Sequence, residues 1–251
     1  MSTLYLKADE SVSKYVILSG DPWRVEILAK LLDDPQHVAF AREFNTYNGT
    51  YKGVPVTISS TGIGGPSAAI AMEELYECGM EVAVRMGTVM ALSDDLLGKF
   101  LIPVASIRDE GTTAAYAPPG YPAVADTELL LHMNAAVTAA GAEYVNGLNC
   151  TVDGFYTQMK ESRLSRRLGT NQQAGFDRLR ALGVAGLDME SSCVLTLGRL
   201  MGVRAVVVTV ATVLEGLKGA LEGQRRKDAE ALLCRVALDG IYRFAQKDAV
   251  K

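Results

Sequence analysis

The chain is poor in the residues that metal and redox chemistry needs. Its 251 residues include two histidines, His37 and His132, too few for a multi-histidine metal centre. Its four cysteines, Cys78, Cys150, Cys193 and Cys234, are far apart and form no CxxC, which argues against both a zinc site and a disulfide framework. No metal is expected. There is no basic excess: 25 Lys and Arg face 29 Asp and Glu, a net charge of −4, so nothing is available to neutralise a nucleic-acid backbone. No segment reaches the ~18 uninterrupted apolar residues of a membrane span, and no membrane partner is expected. The polar start, MSTLYLKADESVSKY, lacks the apolar core of a signal peptide. Gly (24) and Pro (8) are too few for a collagen-like or low-complexity chain. A GxSxG nucleophile elbow is missing as well. These absences leave a soluble protein of a reducing compartment, with the cytoplasm as the expected location.

Apolar runs rich in β-branched residues recur at Tyr15–Leu18, Val54–Ile58, Val82–Met86, Phe100–Ile107, Gly147–Val152 and Val203–Val213. Runs that are hydrophobic throughout suit strands of a sheet covered on both faces. Helical patterns alternate with them: Pro22–Leu32, Pro66–Glu77, Glu128–Ala140, Phe176–Leu182, Ser191–Met201 and Arg225–Gln246. Asp21 before Pro22 reads as an N-cap followed by proline at the first helical position. Alternating strands and helices predict an α/β fold, and 251 residues suit a single domain, residues 1–251. The polar stretch Met159–Gly175 reads as an exposed loop.

Four places carry chemistry. Gly20-Asp21-Pro22-Trp23-Arg24 joins a strand to a helix, where backbone N–H groups and Arg24 could hold an anion, or could simply turn the chain. Ser60-Thr61-Gly62-Ile63-Gly64-Gly65-Pro66-Ser67 is a second such junction; it lacks the lysine of a Walker loop and the last glycine of a dinucleotide fingerprint. Arg85, inside the apolar strand Val82–Met86, cannot lose its proton and needs an anion, either a ligand at the strand end or one of the chain's own acids. Gly87 and Thr88 follow it. Asp188 and Glu190 flank Met189 before a helix; such carboxylates can grip vicinal hydroxyls, or serve as an acidic helix start.

Taken in this order, these segments resemble the nucleoside phosphorylase family of the uridine phosphorylase and hexameric purine nucleoside phosphorylase type. The run Ser60–Leu75 matches its signature. Gly20-Asp21-Pro22 with Arg24, Arg42-Glu43-Phe44, Arg85-Met86-Gly87-Thr88 and Met189-Glu190-Ser191 resemble its other motifs, from about residue 15 to the last helix. Tyr121–Asp126 and Cys150–Tyr156 are most similar to uridine phosphorylases. The resemblance implies a three-layer sandwich in which helices flank a mixed central sheet. It implies a phosphate site of Gly20, Arg24, Arg85, Gly87 and Thr88, with Arg42 reaching in from a neighbouring subunit. It implies a nucleoside site of Met189, Glu190 and Phe155, with Gln158 and Arg163 as candidates to read the base and Tyr5 as the polar ring nearest the N-terminus. Arg85, Thr88 and Glu190 are the expected catalytic residues. Phosphate is a co-substrate, no cofactor is implied, and the assembly is a homodimer or a trimer of dimers.

Around the base the sequence departs from the family pattern. Thr157-Gln158-Met159-Lys160-Glu161-Ser162-Arg163 has altered spacing. Val213 and Leu214 stand where a second arginine is expected, and Glu215 stands near the aspartate of purine enzymes. Val89 and Met90 replace a hydroxyl and a glycine. The expected reaction is reversible phosphorolysis of uridine. The alternatives are a purine nucleoside phosphorylase, a nucleoside-binding homologue with little turnover, a hydrolase that cleaves N-glycosides with water, and a dinucleotide-dependent oxidoreductase.

Overall fold

The computed structural model describes residues 2–248. In chain order its elements are β1 (Tyr15–Ser19), α1 (Pro22–Ala29), β2 (Asp33–Ala41), β3 (Phe44–Tyr51), β4 (Val54–Ser60), α2 (Gly65–Glu77), β5 (Val82–Ala91), β6 (Phe100–Leu101), β7 (Ala105–Asp109), β8 (Ala123–Val124), α3 (Thr127–Ala139), β9 (Tyr144–Val145), β10 (Leu148–Val152), α4 (Arg163–Leu168), α5 (Gln172–Ala181), β11 (Val184–Asp188), α6 (Ser191–Met201), β12 (Arg204–Leu214) and α7 (Gly223–Asp248). The strands form one mixed sheet flanked by helices, the expected three-layer α/β architecture. Its main path runs β2-β3-β4-β1-β5-β11-β10-β7-β8, with β12 joining β5 to β6, and β9 beyond β6.

β5 organises the sheet. It runs parallel to β1 from Tyr15↔Val82 to Ser19↔Met86, and parallel to β12 along its full length. Near its C-terminal end it meets β11 antiparallel, at Gly186↔Ala91 and Leu187↔Met90. The sheet therefore branches where β1 ends, and strand ends at such a divergence leave a crevice. The main core lies between the sheet and α2, α3, α6 and α7, around Met72, Leu75, Met133, Leu195, Ile241 and Phe244. A smaller apolar cluster sits beside the crevice, around Met90, Met159, Phe176 and Leu187.

Local chemistry explains most boundaries. Asp21 caps α1, accepting from the Trp23 N–H at 2.9 Å, and Pro22 opens the helix as expected. The run Phe100–Ile107 is not one strand. It breaks around Pro103, which has no N–H to donate, so that β6 pairs with β12 and β9 while β7 pairs with β10 and β8. The β2–β3 hairpin was not legible as strands: β2 is an exposed sheet edge and carries little apolar alternation. Met159–Gly175 is not a bare loop. Ser162 and Ser165 form a reciprocal capping box that starts α4, and Gly169 ends it in the left-handed conformation. Asn171 then caps α5, accepting from the Ala174 N–H at 3.0 Å, so this helix starts four residues before Phe176. Among the described residues, no helix is long and apolar enough to cross a membrane.

Candidate active site

A cavity of about 650 Å³ opens at the C-terminal ends of β1, β5 and β11. Gly20, Asp21, Pro22 and Arg24 reach it from the start of α1, Arg85, Gly87 and Thr88 from β5, and Asp188, Met189 and Glu190 from the β11–α6 junction. Four segments far apart in sequence, the three above and the glycine-rich turn before α2, thus face one space.

Arg85 meets both of the alternatives left open by its sequence. It lines the cavity, and it is paired with the chain's own acids. Its side chain is 5% exposed; Nη2 binds the Glu190 carboxylate and Nη1 lies 3.2 Å from Asp188 Oδ2. Burial alone would weaken its hold on the proton, but Asp188 and Glu190 outweigh burial and raise its pKa further. Nε is buried with no hydrogen-bond partner, so a donor remains unused. Gly87 makes this arrangement possible: a Cβ there would lie 3.0 Å from Arg85 Nη1.

The two carboxylates differ in their duties. Asp188 accepts from Asn149 Nδ2 at 2.8 Å, Thr151 Oγ1 at 2.9 Å and the Ser191 N–H at 3.1 Å, so it is fixed by β10 and α6. Glu190 accepts from the Gly64 N–H at 2.6 Å and from Arg85, which ties the glycine-rich turn to β5. Gly64 can do this because it sits at φ +96°, where a side chain would be strained. Arg24 is buried at the other wall. Its Nη2 lies 3.4 Å from Glu230 Oε1 on α7, and its Nε also lacks a partner. Two guanidinium groups, each with a buried donor that lacks a partner, thus line one cavity, an arrangement that could hold an anion.

Cysteine chemistry has no foothold here. Burial pushes the Cys150 thiol up to about 12 and the Cys234 thiol up to about 11, and Cys193 is raised further. Such thiols stay protonated and inert.

Of the residues expected from the sequence, Gly20, Arg24, Arg85, Gly87, Thr88, Phe155, Met189 and Glu190 come together around the cavity. Five others do not line it. Arg42 is exposed at the β2–β3 turn, with its guanidinium 5.3 Å from the centre of the Tyr5 ring, so these two meet each other instead. Gln158 lies in a π-helical turn, Phe155–Met159, that folds its amide back: Oε1 accepts from the Gly154 N–H at 2.8 Å and Nε2 faces Asp109. Arg163 opens α4 and is exposed to solvent. Glu215 pairs with Arg180 and, at 3.0 Å, with Lys218, away from the cavity. The wall also includes Glu43, Ile63, Met90, Met159, Leu187 and Val213, which were not picked out as site residues. Glu43 could have been found from its place beside Arg42; Asp188, singled out in the sequence together with Glu190, also lines the cavity. The apolar members resemble any core residue in sequence.

Residues 14–239 match the Phosphorylase superfamily. Uridine phosphorylase of Escherichia coli is 33% identical over 240 residues, 95% of this chain and 95% of that protein. Uridine phosphorylase of Thermococcus kodakarensis is 38% identical over 195 residues, 77% of this chain and 70% of that protein. The crystal structure of purine nucleoside phosphorylase from Toxoplasma gondii in complex with immucillin-H superposes with a TM-score of 0.86 at 25% identity, covering 98% of each chain.

Proposed function

The chain belongs to the Phosphorylase superfamily, and on that membership we propose that it cleaves uridine by reversible phosphorolysis, giving uracil and ribose 1-phosphate for nucleoside salvage. The observation that carries this reading is the single cavity shared by Arg24, Arg85 and Glu190. Phosphorolysis needs no side-chain nucleophile. Phosphate held by the two arginines, the Thr88 hydroxyl and the backbone at Gly20 and Gly87 attacks C1′ of the ribose. The C1′–N bond breaks with its electron pair on the base, and the proton of hydrogenphosphate reaches that nitrogen through water. Positive charge grows on the ribose and faces the phosphate, which is catalysis by positioning and electrostatics. Glu190 takes the ribose hydroxyls, Met189 lies where sugar and base meet, and Phe155 packs on the base. Glu190 is paired with Arg85, so turning it to the ribose frees guanidinium donors for phosphate. No cofactor is required, because the co-substrate supplies both nucleophile and charge.

The enzyme works as a homodimer or a trimer of dimers. The exposed Arg42 lies over the half-buried Tyr5 ring on one side of the molecule, which suits a role in a neighbouring subunit's phosphate and ribose sites. Four unpaired cysteines suit the cytoplasm. Phosphorus NMR of enzyme, uridine and phosphate tests the reaction. Ribose 1-phosphate should grow in step with uracil. Free ribose in its place would make the protein a hydrolase, and uridine binding with neither product would make it a binding homologue.

A further inference from the structure

The cavity has two chemically different ends. Arg24, Arg85 and Glu190 give one end its charge. The other is walled by Met90, Phe155, Met159, Leu187, Met189 and Val213, all of which belong to or pack against one apolar cluster. Asp188 and Glu190, which flank Met189, are paired with Arg85; Gln158 is committed to Gly154 and Asp109, Glu215 to Arg180 and Lys218, while Arg163 is in solvent. Among the described residues, Gln158, Arg163 and Glu215 are absent from the cavity lining.

We propose that this end selects the base by shape and apolar contact alone, so that the enzyme takes pyrimidine and purine nucleosides alike and discriminates on ribose and phosphate instead. The inference rests on the phosphorolysis reading and extends its substrate class. Its physical basis is the asymmetry of recognition. A buried polar reader left unpaired rejects the wrong ligand by about 10⁴-fold or more, whereas an apolar pocket separates related ligands by only about 10- to 200-fold. The three methionines strengthen the case, because unbranched thioethers repack around different shapes and recur at promiscuous surfaces. A volume of about 650 Å³ lies within the range of pockets that enclose a whole small molecule, which leaves room for the second ring of a purine. The reaction balances for either base class, since the leaving nitrogen receives its proton through water and not from a side chain.

The test is a panel of uridine, 5-methyluridine, inosine and guanosine, each with saturating phosphate. We expect kcat/KM values within about 100-fold of one another. Purine nucleosides about 10⁴-fold below uridine would overturn the proposal. Gln158→Ala and Arg163→Ala should leave the uridine-to-inosine ratio unchanged; a ratio that shifts in either variant would reveal a polar reader and contradict it. Calorimetric Kd values for uridine and inosine give a readout independent of turnover. Similar Kd values with no cleavage would support base tolerance while refuting phosphorolysis, and a 10⁴-fold gap in Kd would refute base tolerance itself.

Discussion

Arg85 ties three parts of the site together, and its replacement separates their contributions. In Arg85→Ala the loss of a charge-assisted pair with phosphate should cost about 2–5 kcal/mol of transition-state stabilisation, read as a fall in kcat/KM. The same change leaves Asp188 and Glu190 buried without their cation, so the melting temperature should fall too. Arg85→Lys restores charge without the planar fork and should recover stability better than activity. An Arg85→Ala protein whose folded fraction still binds phosphate normally would reduce the arginine to a structural ion pair. At this scale the sequence was informative wherever a side chain is placed by its own short motif: Gly20 with Arg24, Arg85 with Gly87 and Thr88, Met189 with Glu190. It was uninformative for Gln158 and Arg163. Their positions depend on a π-helical turn and a serine capping box that reorient the chain within a few residues, and neither feature has an apolar period to announce it.

Elements hold the site through their ends. α3 is anchored by Asp126, whose carboxylate accepts from the Leu129 N–H at 2.8 Å and pairs at 2.8 Å with Arg204 at the start of β12. Burial pushes the Asp126 carboxyl upward, but the hydrogen bonds from Arg204 and Leu129 prevail and hold its pKa below the ordinary value. A carboxylate depressed in the folded state stabilises above its unfolded pKa of about 4, and that contribution is lost as the pH falls through the folded value. Asp126→Asn keeps the cap and removes the charge. It should unfold at lower denaturant than the parent at pH 7, and the gap should close on going well below pH ~4. A gap of equal size at both pH values would mean that the charge contributes nothing. β5, β12 and α6 were legible because they are long and strongly apolar or amphipathic. The β2–β3 hairpin was not, because an exposed edge needs little apolar surface, and the Phe100–Ile107 run looked continuous because the effect of Pro103 on pairing shows only once partners are known.

At the scale of the whole molecule, the cavity of one chain holds two of the three arginines expected around phosphate, and the third, Arg42, faces outward beside Tyr5. Light scattering should therefore give at least a dimer at assay concentration, and dilution into monomers should abolish activity. A fully active monomer would remove Arg42 from the site. In the proposed phosphorolysis phosphate, and not water, attacks the nucleoside. This is tested most directly by measuring uracil release from uridine in phosphate-free buffer and again across a phosphate titration. Release should be negligible without phosphate and should saturate with it; equal release in both conditions would contradict the account.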